Sequence, residues 1–160
     1  MDYNLENIVT ATMLKQVLDL VYTEKVREDE GGTYGVQTSA RISSFPEGQT
    51  FLQAYFDTDP AKREKMNAIV RTELDNIVKS GPRDEDFKKS QDNILKRHTE
   101  NQQENVYWLT TLDNYYFRGF NGETAYEETI NPEILRICTE ARGFCAHNRI
   151  QYIGIHMKAD

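Results

Sequence analysis

The chain has 160 residues, enough for one domain with a hydrophobic core and too few for two. It carries 26 acidic and 19 basic residues, a net charge of -7, with the basic residues spread along its length, so no positive stripe offers itself to a nucleic acid. Mean hydropathy is -0.71, and no apolar run approaches the ~20 residues of a membrane-spanning helix.

From Leu5 to about Glu24 the apolar residues recur at helical spacing: Leu5, Ile8, Ala11, Leu14, Val17, Leu18 and Val21. Asn4 is placed to cap this helix, and Gly31-Gly32 supplies a stop, because glycine tolerates left-handed cap geometry. Tyr34 to Ser44 then alternates, with Tyr34, Val36, Thr38, Ala40 and Ile42 on one face and Gln37, Ser39, Arg41 and Ser43 on the other. Ser44 to Gly48 reads as a turn, and Phe51 to Asp57 as the antiparallel partner strand.

Asp59-Pro60 opens a helix with the stripe Met66, Ile69, Val70, Leu74, Ile77, Val78, closed by Gly81-Pro82. Asp84-Glu85-Asp86 places negative charge on the first turn of the next helix, whose buried candidates are Phe87, Ile94 and Leu95. Thr99 to Asn105 is polar, either a solvated helical turn or a break. Val106 to Phe117 reads as an apolar, aromatic helix ending at Arg118-Gly119. A short helix is predicted over Glu123 to Glu128. Another follows Asn131-Pro132, with the stripe Ile134, Ile137, Cys138, Ala141, Phe144 and Cys145. Arg149 to Met157 reads as a closing strand.

The order predicts an α+β fold, a mostly antiparallel sheet with helices packed on one face. The chain reads as one domain over residues 1–160. Three strands are thin cover for so many helices, so further strands are expected before residue 1. A domain cut from a larger chain is expected to expose apolar area along the helix from Leu5 to Val21, or an open sheet edge near it.

Candidate chemistry is sparse. The histidines are His98, His147 and His156, and the residue four after His98 is Gln102, so the paired histidines of a zinc-protease helix are absent. Cys138 and Cys145 lie seven positions apart on a predicted helix, roughly 10 Å along its axis, beyond disulfide reach. They read as buried thiols and do not set a compartment. No Gly-x-Ser-x-Gly elbow occurs. Gly31-Gly32-Thr33-Tyr34-Gly35 runs from helix to strand, the reverse of a phosphate loop. By residue type alone, Arg27 is a cation in the last turn of a helix, welcomed by the macrodipole, and Tyr34 an aromatic residue opening a strand.

Arg27, Glu28, Gly31 and Tyr34 together match Arg-Glu-x-x-Gly-x-x-Tyr at a helix-to-strand junction. This resembles the arginine–tyrosine signature of the pitrilysin/insulinase zinc metallopeptidase family. The strands that follow, Phe56-Asp57-Thr58, Gly81-Pro82 and the aromatic segment around Trp108 extend the likeness over nearly the whole chain. Asp29 and Glu30 make the junction more acidic than that family's pattern.

The resemblance implies a metallopeptidase-half fold and a C-terminal, substrate-clamping domain. Zinc in the parent enzyme would be held by the N-terminal half, with none in this chain. It implies Arg27 as a clamp on a substrate carbonyl and Tyr34 as a donor to the oxyanion. The implied partners are the N-terminal half of the same peptidase and a peptide substrate. An alternative is a catalytically inactive member serving as an assembly or scaffold domain. A further alternative is an unrelated interaction domain in which Arg27 and Tyr34 are structural only. The purified chain alone should hold no stoichiometric zinc and cleave no peptide. Metal analysis finding one tightly bound zinc per molecule would overturn that expectation.

Overall fold

The structure is a computed structural model, and it describes residues 2–30, 36–117, 119, 134, 136–137 and 153–155, with the backbone alone at 27–30 and 153–155. Helix α1 (Leu5–Glu30) begins where Asn4 caps it, its side chain accepting from the Asn7 amide at 2.8 Å. It ends at Glu30, directly before the expected Gly31-Gly32 stop and with Arg27 in its last turn, although the apolar periodicity runs only to about Glu24. The charged residues Glu24, Lys25 and Arg27–Glu30 are all compatible with helix, so polarity alone did not mark a boundary.

The buried residues of α1 are Val9, Thr10, Met13, Val17, Leu18, Val21, Tyr22 and Val26. That arc is wider than a single stripe, because the helix is covered from two sides. Of the two forms of the expected exposure, the helix is the one corrected, since Leu5 and Leu14 are partly buried against the two clusters that enclose α1, while the sheet beside it does present an edge strand among the described residues. The large exposed apolar side chains lie instead mainly on a later helix, Asn105–Phe117.

Strands β1 (Val36–Ser43) and β2 (Gln49–Phe56) pair antiparallel, from Val36 opposite Phe56 to Ser43 opposite Gln49. The alternation read from the sequence holds: Val36, Thr38 and Ile42 are buried, while Gln37 and Arg41 are exposed. Strand β3 (Ile153–Ile155) joins the same sheet beside β2, and the order is β1-β2-β3. The β2–β3 ladder is parallel, with Leu52 opposite Ile153. A parallel neighbour requires a crossover, and the helices between β2 and β3 supply it.

A 3₁₀ turn at Pro60–Lys62 leads into α2 (Arg63–Ser80), and the Asp59 carboxylate accepts from the Ala61 amide at 2.9 Å. Helix α2 buries Met66, Val70, Leu74 and Ile77, and Gly81 ends it at φ 75°, its amide returning to the Ile77 carbonyl at 2.8 Å. Helix α3 (Asp84–Asn101) buries Phe87, with Ile94 and Leu95 packed at the margin. The polar stretch after it resolves into a break before α4 (Asn105–Phe117). Gly31-Gly32, Arg118, the segment Glu123–Glu128 and both cysteines lie outside the described residues. Of the helix after Pro132, Ile134 and Ile137 are described, both buried.

Two clusters form the core. Val17, Leu18, Val21, Tyr22 and Val26 of α1 meet Val36, Ala54 and Phe56 of the sheet and the stripe of α2. Val9 and Met13 meet Phe87, Ile134 and Ile137. Inside the first cluster the Tyr22 hydroxyl donates to the Val70 carbonyl at 3.1 Å, and burial, then the nearby Glu73 and Asp19 carboxylates, push its pKa well up.

A polar tie fastens α1 to the edge strand. Asp19 Oδ1 accepts from the Thr38 amide at 2.7 Å and lies 2.5 Å from the Thr38 hydroxyl, while Oδ2 takes Lys15 Nζ at 2.6 Å. The Thr38 amide points away from β2, on the side where this strand has no ladder partner among the described residues, and the carboxylate takes the place of one. Asp19→Ala leaves that amide unpaired and should cost about 1–3 kcal/mol, whereas Thr38→Val keeps the amide bond and should cost about 1 kcal/mol. Urea melts of the two variants check this, and an Asp19→Ala chain as stable as the parent would remove the carboxylate from the account.

Candidate functional site

Arg27 lies in the last turn of α1, and Tyr34 lies outside the described residues, as does Gly31 between them. The structure describes the Arg27 backbone only, so it does not bring the two side chains together. It fixes the two ends of the segment that carries them. Val26, immediately before Arg27, and Val36, at the start of β1, are both buried in the same cluster. Segment 27–35 thus leaves one core and returns to it. Anchors in one core limit how far its ends can move apart.

A second anchor stands beside the first. Arg83, the residue before α3, donates from Nη1 to Glu24 Oε1 at 3.0 Å, and its Nη2 also meets the Glu24 carboxylate. Its Nε donates to Asp86 Oδ2 at 2.6 Å. One planar guanidinium thus joins the C-terminal part of α1 to the first turn of α3. Asp86 is buried, and this guanidinium gives its carboxylate a charged partner. The hydrogen bond from Arg83 holds the Glu24 carboxyl below its ordinary value, with Lys25 and Lys89 adding to the effect. The acidic run Asp84–Asp86 reads in the sequence as complementing the helix dipole, and that pattern does not point to Arg83 or Glu24. The Arg83/Asp86 spacing at a helix start was a visible signal, but Glu24 lies far away in sequence.

Between α1 and α3 runs an open polar groove, in which Gln16 Oε1 accepts from Asn93 Nδ2 at 3.0 Å and lies 3.5 Å from Ser90 Oγ. Ser90 Oγ also donates to the Met13 carbonyl at 3.3 Å. These contacts are spent on helix packing.

His98 is occupied with structure. Its Nε2 lies 3.0 Å from Gln102 Nε2, its ring meets Tyr107 edge-on at 6.4 Å, and Trp108 Nε1 donates to the Gln102 carbonyl at 2.6 Å. The pair His98 and Gln102 therefore shapes the α3–α4 corner. His147 and His156 lie outside the described residues. Among the described residues no group of three His, Cys, Asp or Glu side chains is placed to hold a metal ion, and no helix is long and apolar enough to cross a membrane.

Residues 2–94, more than half of the chain, match the family described as the Peptidase M16 inactive domain. The match takes in α1, the β1–β2 hairpin, α2 and the first part of α3, and so includes Arg27 and Tyr34. Comparison with curated proteins and with solved structures gives no match.

The Glu24–Arg83 contact makes a signed prediction. A carboxylate with a depressed folded-state pKa contributes in full above its ordinary value of 4.5, and that contribution fades as pH falls through the lower folded value. Glu24→Gln should therefore lose a little stability near neutral pH and show a shallower fall in melting temperature between about pH 5 and pH 3. Equal slopes for the two chains would mean that the contact carries no net stabilisation.

Proposed function

The chain belongs to the M16 peptidase family, as its inactive domain, and from that premise we propose that it positions the peptide substrate for a zinc metallopeptidase whose metal is bound by a partner half. The observation that carries the reading is the Arg27–Tyr34 spacing, set at a helix-to-strand junction whose flanking residues, Val26 and Val36, are buried in one core. The activated water of the reaction comes from the zinc site of the other half.

The chemistry asked of this chain is donation. Attack of water on a peptide carbonyl develops negative charge on the carbonyl oxygen. A preorganised donor aimed at that oxygen stabilises the transition state, and the Tyr34 hydroxyl is the donor in this reading. The Arg27 guanidinium donates to a neighbouring substrate carbonyl and keeps the peptide in register. Neither group transfers a proton to the leaving amine. The buried anchors Val26 and Val36, with the Glu24–Arg83–Asp86 tie, give both donors a rigid base.

Two variants in the intact peptidase test the roles. Tyr34→Phe should lower kcat by about 10²–10³-fold with little change in the affinity of a non-cleavable peptide. Arg27→Ala should weaken that affinity and turnover together. Melting temperatures should stay near the parent's. Full activity in Tyr34→Phe would sink the oxyanion role, and a fall in melting temperature that accounts for the lost activity would assign both residues to structure.

A further inference from the structure

Helix α4 turns an apolar stripe to solvent. Val106, Leu109 and Tyr116 share one helical face at spacings of three and seven, with Leu112 and Phe117 on its flanks. Val106, Leu109, Tyr116 and Phe117 are between 68 % and 72 % exposed, and Leu112 is 36 % exposed. The opposite face holds Tyr115, which is buried, and burial raises its pKa to about 12. The patch continues beyond the helix. Phe45, in the β1–β2 turn and 72 % exposed, stacks edge-on against Phe117 with ring centroids 6.1 Å apart.

These six side chains leave roughly 700 Å² of apolar surface open, above the ~300–600 Å² of the largest patch on an ordinary monomer and close to the ~800 Å² each partner contributes to a standard interface. Charge is nearly absent: Asp113 is the one ionisable carboxylate on α4. A surface without a charge pattern selects for shape and apolar area, and a two-fold pairing of like surfaces needs no charge complement.

We propose that the exposed face of α4, with Phe45, is a self-association surface on which a second copy of this chain docks through an antiparallel pairing of the two α4 helices. Val106 and Tyr116 lie about 15 Å apart along the axis. An antiparallel pair centred between Leu109 and Leu112 therefore sets Val106 of each copy against Tyr116 of the other, small side chain against large. Leu109 and Leu112 fill the middle. Phe117 and Phe45 close both ends. Asp113 lies in the stripe, and the same arrangement brings the two Asp113 carboxylates to about 10 Å, close enough to repel across an apolar interface at ordinary ionic strength. The pairing thus carries a built-in cost that a neutral side chain relieves.

Sedimentation velocity of the full 160-residue chain over a wide concentration range tests the proposal. The expected result is a reversible monomer–dimer equilibrium. Leu109→Glu and Leu112→Glu, both at exposed positions, should weaken it at least ten-fold while leaving the far-ultraviolet spectrum and the melting temperature of dilute protein unchanged. Phe45→Ser should weaken it less. Asp113→Asn should tighten it by a few-fold. A photo-crosslinker at Leu112 should capture a second copy, through residues of its α4.

A monomer at every concentration overturns the proposal, and amide protection on α4 in that monomer would assign the face to another segment of the same chain. A dimer indifferent to Leu109→Glu and Leu112→Glu overturns it as well. Weaker association in Asp113→Asn would mean that the carboxylate meets a cation, which a two-fold pairing of this face does not supply. None of these readouts involves peptide cleavage, so the result is independent of the roles assigned to Arg27 and Tyr34.

Discussion

Burial of α1 from two sides is the constraint on which the described structure rests. Its N-terminal half meets Phe87, Ile134 and Ile137, and its C-terminal half meets the sheet and α2. Among the described residues no other element enters both clusters. A helix in that position cannot keep a narrow apolar stripe, and the arc from Val9 to Val26 is correspondingly broad. Shifting α1 would disturb both clusters at once, so sheet and helices hold their relative placement through it. Its polar contacts serve the same end: Asp19 fixes the edge strand, and Glu24 fixes the start of α3 through Arg83.

That arrangement bears on the proposed role. A residue that stabilises charge in a transition state is effective when its position is set before the reaction begins, because reorganisation would consume the gain. The junction after α1 meets this requirement at its borders. Val26 and Val36 sit in one core, and the guanidinium of Arg83 spans the neighbouring helix start. The stabilising contacts are ordinary ones. Their placement on either side of Arg27 and Tyr34 is what the proposed role draws on.

Much of this was legible in the residues, for local reasons. The alternation from Val36 to Ile42 reports a strand with one face covered, and it survives as the observed burial pattern. Asp59-Pro60 and Gly81 mark helix ends through backbone preferences that do not depend on the rest of the chain. The unread features depend on partners distant in sequence. Nothing near Asp19 announces that Thr38 will present an amide to it, and nothing near Arg83 announces Glu24. The end of α1 follows the Gly31-Gly32 stop read in the sequence rather than its apolar stripe, because its last turns are charged and charge is neutral between helix and loop. Helix α4 was read as apolar and aromatic, but periodicity could not say that so much of the apolar face would meet solvent. The candidate residues Arg27 and Tyr34 were read from spacing and family likeness, because no local physical rule distinguishes a clamp from a helix cap.

The parallel ladder between β2 and β3 also dictates an order of events. Leu52 pairs with Ile153, so nearly two thirds of the chain separates the partners. The β1–β2 hairpin closes across a short turn, and α1 and α2 can pack on it as soon as they are made. As the chain leaves the ribosome, the far side of β2 must wait for residues 153–155 before it gains this neighbour. During that interval an unpaired strand edge is open to any other extended chain, and among the described residues it is the short strand β3 that shields it.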